Sequence, residues 1–150
     1  MRAHILILLI VIISFSACNN KPKSTTPVTE PIENISLLDT LTLKLNNGKK
    51  WVANNETQIG MLKMDSIIKA FKSDKTNIYV DLGRNLSKQT SYIIKSCSMT
   101  GEAHDQLHVV LVPMLNEISI LRKSENTEES KSALRELESL IEVYFDHFGN

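Results

Sequence analysis

The stretch that decides the fold is "TEESKSALRELESLIEVYFDHFG", residues 127–149. Its apolar residues recur at intervals of three and four, which is the spacing of one face of an α-helix. Thr127 is suited to cap the first turn, and Glu128 and Glu129 favour the positive end of the helix dipole. Gly149 is expected to end the helix. The apolar face consists of Leu134, Leu137, Leu140, Ile141, Tyr144 and Phe148.

The same period occurs in three preceding stretches. The first begins at Asn54 or Asn55 and ends near residues 73–74, and the second covers about residues 76–96. The third follows the break "SMTG" (98–101), where Ser98 or Thr100 is the expected cap, and Pro113 is expected to bend it. Four helices of similar length with short loops predict an all-α fold, an antiparallel four-helix bundle over residues 54–150.

A short lead-in precedes the helices, at residues 37–53. Leu41, Leu43 and Leu45 alternate with polar residues, and Asn47-Gly48 is a turn signal before Trp51. The pattern fits either a short hairpin or an extended segment whose Leu and Trp side chains cover one end of the bundle.

Composition limits the choice of partners. Lys and Arg equal Asp and Glu in number, which gives no reason to propose a nucleic-acid partner. Aromatic residues make up only 5% of the chain, so Leu and Ile carry the core, as is typical of helical domains.

The N-terminal segment "MRAHILILLIVIISFSAC", residues 1–18, has the pattern of a secretory signal. Its apolar run is too short to span a bilayer comfortably. The "FSAC" end resembles the lipobox of bacterial lipoproteins, although Phe15 replaces the usual Leu. The resemblance implies that residues 1–17 are a signal peptide and that Cys18 becomes lipidated, which anchors the chain to a membrane.

Residues 18–36 are rich in Pro, Ser, Thr and Asn, and they predict a flexible tether that spans on the order of 20–25 Å. Asn19 is not the Asp that retains some lipoproteins at the inner membrane. The expected location is therefore the outer membrane, facing the periplasm. The tether, the lead-in and the helical domain together resemble small envelope lipoproteins of uncharacterised function from bacteria of the Bacteroidetes type.

The chemistry of the chain is concentrated in "CSMTGEAHDQLH", residues 97–108. His104 and His108 are four residues apart, so on a helix they point the same way, and we expect both on the apolar face. In the predicted bundle one end gathers this segment with the start of the first helix and the end of the last. The candidate ligands there are His104, His108, Cys97, Met99, Met61 and Met64, with His147 as a possible addition.

Imidazole with thiolate and thioether ligands predicts copper or zinc, bound for sensing, buffering or delivery. Glu102 or Asp105 is placed to orient a His ring. The alternative without a metal is that Met and Cys fill the core and that the domain is a structural or interaction module for an envelope protein partner.

Two more specific alternatives for the function remain, namely haem binding and peptidase activity. The arrangement resembles b-type cytochromes built on four-helix bundles, which implies non-covalent haem b held by Met61 or Met64 and His147; there is no CxxCH motif for covalent attachment. "HDQLH" (104–108) resembles the HExxH of zinc peptidases, but Asp105 is one methylene shorter than the catalytic Glu. The sequence therefore predicts that the protein is not an enzyme.

Overall fold

Four helices account for most of the residues that the structure describes. This computed structural model describes residues 42–74 and 78–149, so the predicted signal peptide, Cys18 and the tether lie outside the described residues. The helices are α1 (Asn55–Ser73), α2 (Tyr79–Ser96), α3 (Gly101–Lys123) and α4 (Thr127–His147). Two short strands, β1 (Trp51–Val52) and β2 (Phe148–Gly149), flank them.

The helices pack against one another along their apolar faces. The most extensive contacts are those of α1 with α2, of α2 with α3, and of α3 with α4. Each helix contributes fully buried side chains, for example Met61, Leu86, Met114 and Leu137, each 0% exposed. Burial of one such side chain contributes about 1.5–3 kcal/mol. The prediction of an all-helical fold with four packed helices is confirmed. Within residues 42–74 and 78–149, no helix has the length and apolar character needed to cross a membrane.

The predicted starts of α1 and α3 are confirmed, whereas α2 begins at Tyr79 and not near residue 76. Asn54 is the N-cap of α1, and Thr100 is the N-cap of α3. The prediction of Thr127 as the N-cap of α4 is wrong, because Asn126 holds that position. The Asn126 side chain accepts hydrogen bonds from the backbone N–H of Glu128 at 2.9 Å and of Glu129 at 3.4 Å. The amide side chain of Asn caps as well as a hydroxyl does.

The lead-in contains the turn that Asn47-Gly48 predicted. Asn46 and Lys49 exchange backbone hydrogen bonds of 2.8 and 2.9 Å. Asn47 and Gly48 adopt positive φ angles of 50° and 81°, as a tight hairpin turn requires. Trp51 is only 8% exposed, and its indole Nε1 donates to the Lys44 carbonyl at 2.6 Å. The hairpin turn is therefore present, and Trp51 belongs to the buried core with Leu43 packed against it, whereas Leu45 is 43% exposed.

A parallel pairing of β1 with β2 joins the two ends of the helical domain. Trp51 pairs with Phe148 and Val52 with Gly149, and the Ala53 N–H donates to the Gly149 carbonyl at 2.9 Å. The prediction that helix 4 continues through Phe148 is wrong, because α4 ends at His147 and Phe148 is extended (φ −126°, ψ 151°). The extended backbone allows the Phe148 ring to stack on Tyr144, with ring centroids 5.0 Å apart.

Candidate metal site at the α2–α3 junction

The short junction between α2 and α3 brings a thiol against an imidazole. Residues 97–100 separate the helices, and Cys97 is the C-cap of α2. The Cys97 Sγ lies 3.7 Å from the His104 Nδ1, one turn into α3. Cys97 is half-buried and its thiol is free of any disulfide.

His108 extends this contact along α3. Its ring centroid lies 4.3 Å from that of His104, with the planes tilted by 56°, as the four-residue spacing on a helix predicts. His104 is half-buried, whereas His108 is exposed. The prediction that both rings lie on the apolar face is therefore wrong for His108. The reason is that α3 turns Leu107 and Leu111 into the core, which leaves His108 on the solvent side of that face.

The separation of Cys97 Sγ and His104 Nδ1 matches two ligands of one tetrahedral ion. Zinc bonds of about 2.3 Å to sulfur and about 2.0–2.1 Å to nitrogen place these two atoms about 3.6 Å apart at a tetrahedral angle. The same distance also suits an S–H···N hydrogen bond to the tautomer that carries its proton on Nε2. The pair is thus pre-positioned for an ion or for a hydrogen bond, without movement of either helix.

A buried phenol lies beside the junction. Tyr144, on α4, is 0% exposed, and its hydroxyl donates to the Gln58 Oε1 at 2.8 Å. Burial raises the pKa of Tyr144, and the charge of the Cys97 thiolate raises this pKa further. No pattern in the sequence indicated a chemical role for Tyr144, because this residue falls in the apolar face of α4.

The predicted methionine ligands have different environments. Met61 and Met64 are both 0% exposed and belong to the hydrophobic core. Met99, in the junction itself, is half-buried and packs against that core. Among the three thioethers, Met99 is therefore the partly accessible one, and it lies two residues after Cys97 in the chain.

The remaining predicted residues do not contact the imidazole rings of His104 and His108 in the way that the sequence predicted. Glu102 and Asp105 are exposed, and within the described residues neither forms a hydrogen bond to His104 or His108. The Nδ1 of His147, in the last turn of α4, bonds to the Val143 carbonyl at 2.8 Å. The structure brings together Cys97, His104 and His108. It leaves Met61 and Met64 in the core and His147 bonded to its own helix.

The junction does not by itself supply a complete ligand set. Within residues 42–74 and 78–149, no three His, Cys, Asp or Glu side chains are grouped so that they would hold one metal ion. Cys97 and His104 are thus a pair of metal-ligating side chains, with His108 and Met99 at its edges.

A second surface feature is an open groove of about 570 Å³ between α1 and α4. Its apolar base includes Ile68 and Ile141, which are 2% and 3% exposed. The Lys72 ammonium bridges the two helices by an ion pair of 2.6 Å with Glu138. This hydrogen bond to Glu138, with the negative charge of the same carboxylate, raises the pKa of Lys72. None of the predicted ligands lines the groove.

Comparison with known proteins yields no relative for this chain: no model of a protein family, no curated protein and no solved structure matches it.

Proposed function

We propose that this protein is a membrane-anchored envelope lipoprotein whose helical domain binds copper or zinc for sensing, buffering or delivery. The observation that carries the proposal is the 3.7 Å separation of Cys97 Sγ and His104 Nδ1, with the centroid of the tilted His108 ring 4.3 Å from that of His104. Thiolate and imidazole are the ligands that copper and zinc share. Met99 adds a thioether, which favours Cu(I) over harder ions.

The proposed scaffold is an antiparallel four-helix bundle. In support, the Asn54 amide near the start of α1 donates to the Ser96 carbonyl at the end of α2, at 3.0 Å. At the other end of this helix pair, the rings of Phe71 and Tyr79 lie 5.1 Å apart. The contact of Tyr144 with Gln58 similarly joins the end of α4 to the start of α1. Such an arrangement gathers the α2–α3 junction and the β1–β2 pair at one end.

The metal proposal is tested by metal binding to the full chain carrying Cys18→Ser, purified in detergent without a His-tag. The probes are Zn²⁺, Cu(I) and Co²⁺, because a Co²⁺–thiolate bond gives a charge-transfer band in the near ultraviolet. We expect one of these ions to bind stoichiometrically and the Co²⁺ band to vanish in Cys97→Ser.

The matched control is His147→Ala, which removes an imidazole from the same end of the molecule. We expect it to bind metal as the parent does, whereas His104→Ala loses binding and keeps its helical circular dichroism. A chain that takes up none of the three ions contradicts the proposal. A Soret band on incubation with haem would instead favour the haem b alternative.

The lipid anchor rests on the "FSAC" sequence at Cys18 and is tested separately. In a bacterial host, we expect labelled palmitate to be incorporated into the parent chain and not into Cys18→Ser. Cys97→Ser, which changes the other cysteine, is the control and should be labelled normally. Labelling that persists in Cys18→Ser would exclude this anchor.

The groove between α1 and α4 favours a second candidate function, which is binding of an envelope protein partner. Its apolar base and its charged rim, with Lys69 73% exposed, are accessible from solvent. A photo-crosslinking residue at position 69 tests this idea in cells, with position 88 on the outer side of α2 as control. Crosslinking to a distinct protein only from position 69 would support it, and equal patterns from both positions would refute it.

A further inference from the structure

We propose that a zinc ion joins two copies of this chain, with Cys97 and His104 of each copy completing a four-ligand site. This inference rests on the proposed metal-binding function and specifies how the ligand set is completed.

The first argument is the number of ligands. Structural zinc sites take four protein ligands, commonly two Cys and two His. One chain offers the Cys97–His104 pair at ligand spacing, and its described residues hold no group of three such side chains. Two pairs related by a two-fold axis give a Cys₂His₂ set, in which the +2 charge of zinc balances two thiolates. A two-fold interface uses the same patch on both copies, so no further residue is needed.

The second argument is accessibility. Cys97 and His104 are half-buried rather than enclosed, and His108 is exposed. An ion held by this pair therefore keeps its remaining coordination positions open to the outside of the domain. A second copy approaching the junction reaches them without unfolding either helix.

The third argument is the apolar surface beside the pair. Ile94 lies three residues before Cys97 on α2 and is 53% exposed, and Val112 lies four residues after His108 on α3 and is 51% exposed. Residues three or four apart on a helix share a face, so Ile94 lies one turn from Cys97, and Val112 continues the face of His108 further along α3. Contact with a second copy would remove this apolar area from water, at about 25 cal/mol per Å².

The test is native mass spectrometry of the full chain carrying Cys18→Ser, in detergent micelles with a phosphine reductant, titrated with ZnCl₂. We expect a monomer without zinc and a dimer with a single zinc ion once one equivalent per two chains is present. EDTA should return the dimer to monomer. Cys97→Ser and His104→Ala should remain monomeric, and His147→Ala should dimerise as the parent does.

The other outcomes separate the two proposals. A monomer carrying one zinc ion overturns the bridged dimer and leaves metal binding by a single chain standing. A chain that binds no zinc and no copper overturns both. A dimer that persists in EDTA, whether free of metal or reversed only by additional reductant, overturns the zinc bridge, because such a dimer is held by packing or by a Cys97–Cys97 disulfide.

Discussion

Gly83 lies where α2 closely approaches the backbone of α3. A Cβ atom at this position would lie 2.7 Å from the Arg122 Cγ, 2.8 Å from the Arg122 backbone N and 3.0 Å from the Leu121 carbonyl carbon. At Gly60 the corresponding neighbour is the Ile93 side chain, at 2.3 and 2.8 Å. The structure shows that each glycine allows two helices to pack closely.

We expect Gly83→Ala to lower the free energy of unfolding, although Ala favours helices by about 1 kcal/mol over Gly. Overpacking against backbone costs about 1–3 kcal/mol, and the backbone of α3 has to shift to relieve it. Gly60→Ala should cost less, because Ile93 has a side chain that rearranges. Urea unfolding of both variants checks the order, and a Gly83→Ala chain more stable than the parent would contradict the close approach.

Glu117 is a carboxyl group on α3 that is only 6% exposed. Burial raises its pKa above the usual 4.5, and the negative charge of Glu136 on α4 raises it further. The folded state therefore binds this proton more tightly than the unfolded state does. As pH rises from about 4.5 through the raised pKa of Glu117, this group lowers the free energy of unfolding, and the loss is complete above that pKa.

We predict that Glu117→Gln stabilises the domain at pH 7 by on the order of 0.5–1 kcal/mol, because it removes a buried charge and keeps the shape of the side chain. Near pH 4 the variant and the parent should unfold at the same urea concentration. Glu125→Gln, at an exposed loop position, is the control and should leave the pH dependence unchanged. A difference that is equally large at both pH values would rule out the proton as its cause.

At the scale of secondary-structure elements, α3 runs without interruption from Gly101 to Lys123 through Pro113. Proline has no N–H, so the Val109 carbonyl lacks the donor that position 113 would normally provide. We expect Pro113→Ala to raise the free energy of unfolding by about 1–3 kcal/mol, since it restores this hydrogen bond. Thermal unfolding measures the effect.

The control for helix propensity is Asn116→Ala, one turn later at an exposed position of α3, which should change stability by less than about 0.7 kcal/mol. A Pro113→Ala chain that is less stable than the parent would indicate that α3 packs correctly only with the proline in place.

Periodicity predicted the helices well, because one apolar face per helix is a local property of the sequence. The hairpin turn at Asn47-Gly48 was predictable for the same reason. The β1–β2 pair was not predictable from the sequence, since nothing near Phe148 indicates that its partner is Trp51, at the other end of the domain. For the candidate site, the spacing of His104 and His108 predicted their contact, and the short junction predicted the nearness of Cys97. The exposure of His108 depends on how α3 is oriented when all four helices pack together. A four-residue spacing does not contain that information.

At the scale of the whole molecule, β2 closes the helical domain with a buried aromatic residue. Phe148 is 1% exposed and stacks on Tyr144, while Val52 in the partner strand is 71% exposed. We predict that Phe148→Ala costs about 3 kcal/mol or more, because it leaves a cavity beside Tyr144. Val52→Ala, in the same two-stranded pair, should cost less than about 1 kcal/mol. Urea unfolding of the two variants compares them, and similar losses would show that strand pairing, and not the Phe148 ring, stabilises this end.

The pairing of Trp51–Val52 with Phe148–Gly149 also governs when the domain is finished during its synthesis. The first strand is synthesised before any of the helices, whereas its partner follows all four of them in the chain. The helices are able to assemble as they are made, but the Trp51 strand has no partner in β2 until residues 148–149 have been made. A nascent chain therefore keeps this edge unpaired, and open to chaperones, until the whole helical domain has been synthesised.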